Sequence, residues 1–293
     1  MTQTRTDEAP SSGRWTQNPT GLLRVEKGFR LDAVDTRATP GYQGDKRAAN
    51  HGLAACAREL GDLQERLYAA HHEADSGPSV LLVLQAMDTA GKGGIVRHVV
   101  GAVDPQGIEL AAFKKPTAEE LAHDFLWRIR RRVPGPGMIG VFDRSHYEDV
   151  LIGKVRELAN PEEIEQRFQA INDFEAELAE AGVRIVKVML HISPDEQRDR
   201  LLKRLNRPDK HWKYNPGDVD ERRLWPDYME AYQTVFDRTS TEAAPWFVVP
   251  ADRKWYSRLA VQRLLQEALE DIGPQWPEAD FDVEAEKRRL LAT

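Results

Sequence analysis

The sequence predicts an α/β fold, a parallel sheet with helices on both faces, and three observations predict it. An uninterrupted apolar run of the kind found in strands buried on both sides stands at Val80 to Leu84, and further apolar runs recur at Met138 to Phe142, Arg184 to Ile192 and Trp246 to Val249. Helical patterns separate these runs, and strands alternating with helices build parallel sheets. The first run leads straight into a glycine-rich turn followed by an amphipathic stretch, Ile95, Val96, Val99 and Val100. With 293 residues, 41% of them hydrophobic, the chain can fill a large core, which excludes disorder throughout.

Residues 1–20 are rich in Thr, Ser, Pro, Gln and Asn without apolar periodicity, and read as a disordered or loosely attached arm. An N-terminal extension over 21–76 carries a helix between Asp45 and Glu73, with Leu53, Leu60, Leu63 and Leu67 at helical spacing. It ends at the breaker Asp75-Ser76-Gly77-Pro78. The core spans 77–273. Within it Leu121, Phe125, Leu126 and Ile129 predict one helix, and Ile164, Phe168, Ile171, Phe174 and Leu178 another, opening at Asn160-Pro161 and closing at Gly182. Ser193-Pro194-Asp195-Glu196 has the spacing of a capping box, and Asp252 is placed to cap a last helix through Trp255, Leu259, Leu265 and Leu269. Residues 274–293 form an acidic C-terminal tail.

No apolar run approaches the roughly 20 residues of a membrane span. The N-terminal residues lack a secretory pattern, and the single Cys56 forms no internal disulfide, so a cytoplasmic location is expected. A net charge of -7, from 41 Lys plus Arg and 48 Asp plus Glu, argues against a protein that coats nucleic acid. The average hides two basic segments. Residues 113–132 carry six basic against three acidic residues, and residues 187–223 carry ten against seven. An anionic ligand therefore belongs in the middle of the chain.

The turn after the first strand reads Asp88-Thr89-Ala90-Gly91-Lys92-Gly93-Gly94. Strand, glycine-rich loop, Lys and helix make a phosphate loop, in which backbone N–H groups and a helix N-terminus surround a phosphate that Lys92 also reaches. Thr89, Ala90, Gly91, Gly93 and Gly94 are the candidate cradle. The match to the usual motif is imperfect, because Ala86 replaces the first Gly and Gly93 replaces the metal-binding hydroxyl. Asp88 is the candidate replacement ligand for Mg²⁺.

The second strand ends in Asp143-Arg144-Ser145-His146-Tyr147-Glu148, which brings a carboxylate to the sheet edge as a Walker B motif does. Asp143 is the second metal candidate, and Arg144 supplies a permanent charge for phosphate oxygens. His146 reads as structural. In the helix opened by Ser193, Arg200, Lys203, Arg204 and Arg207 fall largely on one side. Arg204, Arg207, Lys210 and Lys213 belong to a candidate lid over about 204–225, whereas Arg198 and Arg200 are equally well read as a solvated helix face. Lys114, Lys115 and Arg128 form a second basic group, more charge than one nucleotide needs. A long polyanion, nucleic acid or polyphosphate, is implied as one substrate.

These motifs resemble the polyphosphate kinase 2 family. The Walker A variant D-x-x-G-K-G/D-G is met by Asp88 to Gly94, and D/N-R-S-x-Y by Asp143 to Tyr147. The lid matches Arg204 to Lys213, followed by Asp218, Trp225, Tyr228 and Tyr232. The resemblance runs over about residues 45–272. It implies a thymidylate-kinase-like three-layer core with a helical lid, Mg²⁺-dependent transfer between inorganic polyphosphate and AMP, ADP or ATP, and a homodimer or dimer of dimers. No nucleic acid or membrane partner is implied. It further implies metal and phosphate positioning by Asp88 and Asp143, and charge neutralisation by Lys92, Arg144 and Arg204. The string His146 to Val150 resembles the class III subgroup, where Glu148 replaces an Asn and both AMP and ADP are phosphorylated, although Gly93 stands where many class III members have Asp. Two alternatives are an ATP-dependent nucleoside monophosphate kinase and a non-catalytic nucleotide or polyanion binder. Neither the net direction of transfer nor base preference is written in the sequence.

Overall fold

The computed structural model describes residues 13–71 and 74–293, so residues 1–12 of the expected arm lie outside the described residues. Two short strands, β1 (Arg14–Trp15) and β2 (Tyr42–Gln43), pair antiparallel. The main sheet holds β3 (Ser79–Ala86), β4 (Ile108–Ala112), β5 (Ile139–Asp143), β6 (Val183–His191) and β7 (Trp246–Pro250) in the order β4-β5-β3-β6-β7. All its pairings are parallel, with Leu82 of β3 opposite Val141 on one side and Val186 on the other. The four expected strands are present.

The helices are α1 (Pro19–Leu23), α2 (Lys46–His71), α3 (Lys92–His98), α4 (Trp127–Arg130), α5 (Glu148–Val155), α6 (Pro161–Glu180), α7 (Pro194–Leu205), α8 (Gly217–Arg223), α9 (Trp225–Thr239), α10 (Lys254–Ile272) and α11 (Val283–Leu291). They cover the sheet in two layers. On one face Leu60 and Leu67 of α2, Ile95 of α3 and Leu265 and Leu269 of α10 pack on Leu82, Leu84 and Val188. On the other, Phe168 and Phe174 of α6 and Tyr232 and Phe236 of α9 pack on Leu81, Val83 and Ile185. The alternation of β3 residues between the two clusters follows from the period of two along a strand. The expected three-layer α/β architecture is therefore observed.

Several local expectations need correction. β4 is an edge strand with exposed Glu109 and Leu110, so it lacks the continuous apolar run that marks the buried strands. The helix expected through Leu121 to Ile129 is broken. A 3₁₀ turn at Glu120–Ala122 is followed by the short α4, and between them the Asp124 carboxylate accepts the Leu126 N–H at 3.0 Å. Ser193 does cap α7, accepting the Glu196 N–H at 3.1 Å, but Glu196 binds Arg200 instead of completing the box. Asp252 does not cap α10. Its carboxylate accepts the Ser193 N–H and the hydroxyls of Ser193 and Thr36, because β6 and β7 end side by side.

The described part of the expected arm is docked rather than loose. Trp15 packs edge-on against Tyr42 and Tyr256, and Asn18 and Thr20 both donate to Glu267 of α10 at 2.8 Å. The Val25 N–H donates to Trp246 O at 2.8 Å, so this segment covers the β7 edge, which would otherwise offer unpaired backbone groups. No helix among the described residues is long and apolar enough to cross a membrane.

The chain leaves β3 toward one edge of the sheet and leaves β5 toward the other. Open α/β sheets bind ligands at such a switch point, outside the carboxyl ends of the strands.

Candidate active site

At the carboxyl end of β3 the backbone turns through residues 87–91 into α3. Gly91 has φ 131, a conformation that disfavours any side chain, and Thr89 takes a left-handed φ of 66. Lys92, 11% exposed, donates to Ala86 O at 3.4 Å and lies 4.0 Å from Asp143, the last residue of β5. Arg144 follows with φ 64 and places its guanidinium 3.2 Å from Asp88 and 3.8 Å from Glu148. Burial disfavours the Arg144 charge, but Glu148, Asp88 and Asp143 outweigh that and raise its pKa. Gln85 donates to Glu148 at 3.1 Å. Burial raises the Glu148 pKa despite the opposing pull of Arg144 and Lys92.

Two cavities open here, and Asp88 and Arg144 line both. The first, of about 540 Å³, is formed by the phosphate loop with Lys92, Arg97, Arg204, Lys210, Lys213, Lys254 and Arg258. The second, of about 230 Å³, is lined by Glu148, Asp218 and Glu221 with Asn215, Tyr228 and Tyr232. One is strongly cationic and the other is acidic and aromatic. A phosphate chain fits the first, where closely spaced cations gain most from an anion. A neutral ring with hydroxyl donors fits the second.

The structure thus brings Asp88, Thr89, Ala90, Gly91, Lys92, Gly93, Gly94, Asp143, Arg144, Arg204, Lys210 and Lys213 together around one cavity, and Glu148 beside it. Arg204 is held by Asp218 at 3.7 Å and donates to Lys213 O at 3.0 Å, which joins α7 to the lid segment. Four expected binding residues line neither cavity. Arg128 is turned inward against Phe113, donates to Lys114 O at 2.9 Å and pairs with Asp149 at 3.6 Å, so its charge is used inside the fold. Lys114 and Lys115 are exposed elsewhere, and Arg207 pairs with Asp209 at 2.9 Å. Among the basic residues of α7, Arg200 is buried and is therefore not part of a solvated face.

Sequence reasoning missed Arg97, Lys254, Ser257 and Arg258. The last three sit at i, i+3 and i+4 in the first turns of α10, a single helix face directly after β7. Burial and the neighbouring Arg200, Lys203 and Arg258 pull the Lys254 pKa down to about 8, against a smaller upward pull from Glu196.

His146 is structural, as expected. It is buried, with Nε2 3.2 Å from Glu175. Glu175 also accepts from the Tyr147 hydroxyl at 2.8 Å and from Lys187 at 2.5 Å, while Lys187 donates further to the Tyr147 hydroxyl at 2.9 Å and Thr239 O at 2.7 Å. Burial would raise the Glu175 carboxyl, but Lys187 and His146 hold it below its ordinary range. This network anchors Tyr147, three residues from Arg144.

Among the described residues no group of three or more His, Cys, Asp or Glu side chains is arranged to hold a metal. Asp88 and Asp143, 30% and 33% exposed, supply two carboxylate groups at adjoining strand ends. That donor set fits Mg²⁺, which takes one or two carboxylates and completes its shell with phosphate oxygens and water.

The family model described as Polyphosphate kinase 2 (PPK2) matches residues 43–276. An AMP/ADP-polyphosphate phosphotransferase of Meiothermus ruber is 45% identical over 252 residues, covering 86% of this chain and 92% of its own. An ADP-polyphosphate phosphotransferase of Rhodopseudomonas palustris is 40% identical over 286 residues, 93% and 96% of the two chains. The crystal structure of Polyphosphate Kinase 2 from Arthrobacter aurescens TC1 matches with a TM-score of 0.93 and 56% identity, over 96% of this chain and 99% of that one. With this likeness running from ahead of α2 to beyond α10 and through the phosphate loop itself, the chain belongs to the polyphosphate kinase 2 family.

Proposed function

We propose that the protein transfers phosphoryl groups between inorganic polyphosphate and adenine nucleotides, AMP and ADP as acceptors. The observation that carries this is the shared wall of the two cavities. Polyphosphate occupies the cationic cavity, where Lys92, Arg97, Arg204, Lys254 and Arg258 converge, and the nucleotide's ribose and base occupy the acidic, aromatic one. The ribose hydroxyls donate to carboxylates there, and Tyr228 and Tyr232 offer the base their rings. The acceptor phosphate then meets the end of the polyphosphate at Asp88 and Arg144, the residues common to both.

Phosphoryl transfer asks for positioning and neutralisation of charge, not for a covalent intermediate. Lys92 and the Gly91 to Gly93 backbone hold the transferred group, and Arg144 spans acceptor and donor phosphates while its ion pair with Asp88 orients it. Arg204, carried into the lid by α7, closes the cationic side. Asp88 and Asp143 would hold Mg²⁺, which would supply positive charge to neutralise the phosphates.

Incubation with polyphosphate, Mg²⁺ and labelled AMP is expected to give ADP and then ATP, and excess chelator is expected to stop both. Turnover with ATP but not polyphosphate as donor would instead identify a nucleoside monophosphate kinase, and binding without turnover would refute catalysis.

A pH dependence follows from Lys254. A bound polyanion favours its protonated form, so binding takes up a proton once the pH exceeds about 8. The KM for polyphosphate should therefore rise as the pH passes through that value, where the free enzyme loses this cation. In Lys254→Met the step should vanish and KM should stay high at lower pH. An unchanged profile would remove Lys254 from the polyphosphate contacts.

A further inference from the structure

The phosphate loop adopts a backbone that its own sequence disfavours. Thr89, at φ 66, is β-branched in the left-handed region, and its hydroxyl is buried with no hydrogen-bond partner. Such a conformation persists only where the surroundings over-determine it. Around Thr89 the loop's own backbone supplies the bond from the Ala90 N–H to Met87 O at 3.2 Å.

Further restraint comes from α7. Gln197 Nε2 donates to Asp88 O at 3.0 Å, and Arg200 Nη1 donates to Thr89 O at 3.0 Å and Ala90 O at 2.6 Å. Two side chains one turn apart thus hold three consecutive carbonyls, those on either side of the strained residue included. Both are buried, at 1% and 4% exposure, so water does not compete for these bonds. In a trans peptide the C=O and N–H point in opposite directions, so fixing the Ala90 carbonyl aims the Gly91 N–H away from Arg200.

The remaining donors and acceptors of this pair reach segments that adjoin the two cavities. Arg200 Nη2 donates to Ala251 O at 2.6 Å and Asp252 O at 3.1 Å, just ahead of Lys254, Ser257 and Arg258, and Nε donates to Glu196 at 2.7 Å. Gln197 Oε1 accepts from Arg222 of α8 at 2.7 Å, inside the lid segment, and Arg204 lies one turn beyond Arg200. Lysine cannot reproduce this, because an ammonium has three donors on one atom while the guanidinium here serves five acceptors from three nitrogens.

We infer that Arg200, with Gln197, is a positioning residue for phosphoryl transfer, holding the phosphate loop in its strained form and tying it to the lid through Arg222. The inference rests on the proposed phosphotransferase reading for its kinetic consequence. Neither side chain lines the cavities; both act through the backbone of residues 88–90.

The test compares wild type, Arg200→Lys, Thr89→Gly and the double variant for kcat, KM for polyphosphate with ADP, and hydrogen exchange along the chain. Arg200→Lys should lower kcat by about 10²-fold, the size of effect that a misplaced reacting group produces, with KM changed far less. Exchange should accelerate over residues 88–94 while the sheet stays protected. Because glycine accepts a positive φ freely, the same change made in Thr89→Gly should lower kcat only about 10-fold. An equal loss in both backgrounds, or wild-type kcat and exchange in Arg200→Lys, would overturn the inference. Should Arg200→Lys not fold, Gln197→Leu read against Thr89→Gly decides in the same way. Failure of the wild type to use polyphosphate would refute the proposed function, and the exchange pattern over 88–94 would still decide the role of Arg200.

Discussion

Lys92→Met is expected to lower kcat for phosphoryl transfer by about 10²–10³-fold, the loss that follows removal of one preorganised donor from a charge-stabilising site. The side chain is nearly buried, yet among the described residues its partners are a carbonyl at 3.4 Å and a carboxylate at 4.0 Å, so its ammonium is held in place without being consumed. Methionine keeps most of the length and none of the charge. Little else depends on this group, so the thermal midpoint should stay close to that of the wild type. Steady-state rates with polyphosphate and ADP, measured beside thermal unfolding, check both halves. Activity within a few-fold of wild type would remove Lys92 from the reaction.

The largest stability effect is expected at Lys187, in the middle of a strand buried on both faces. Lys187→Met should destabilise the fold by about 3–5 kcal/mol, because it strands the Glu175 carboxylate without its cation. Pairing it with Glu175→Leu should recover much of that loss, since a buried ion pair and an apolar pair of similar volume are often close in free energy. The recovery is partial because the Tyr147 hydroxyl and Thr239 O lose the Lys187 ammonium as well. Urea unfolding of the single and double variants measures the difference. A single variant as stable as the wild type would show that the network contributes nothing net.

Much of the site was legible because it is local. β3, the loop from Asp88 to Gly94 and the start of α3 form one continuous stretch, and the geometry that binds phosphate follows from strand, glycines and helix in that order. Asp143 and Arg144 were legible for the same reason, as the end of a second buried strand. The lid cations were harder. Arg204, Lys210 and Lys213 reach the cavity, but Arg207 is engaged by Asp209 two residues away. Sequence spacing gives the side of a helix, not whether a neighbour has already claimed the charge.

Arg128 and Arg200 show the same limit in opposite directions. Arg128 sits in a basic run read as ligand contacts and Arg200 in one that reads equally well as solvated surface, yet both turn inward. Arg128 is spent on Asp149 and the Phe113 ring, whereas Arg200 binds the carbonyls of the phosphate loop itself. The cations of α10 were invisible for a third reason. Lys254 and Arg258 lie more than 160 positions beyond Lys92 in numbering, and only the pairing of β7 next to β6 brings their helix to the loop.

By itself, then, the sequence determined the four buried strands, the helix starts at Asn160 and Ser193, the phosphate loop and the two carboxylates, because each is specified by near neighbours through periodicity, capping and turn chemistry. Only the tertiary structure decided which charges line the cavities, how the strained Thr89 is held, and that one cationic and one acidic cavity share a wall at Asp88 and Arg144. Those features depend on which distant segments the sheet order places side by side, and a guanidinium's role is set by the acceptors it meets there.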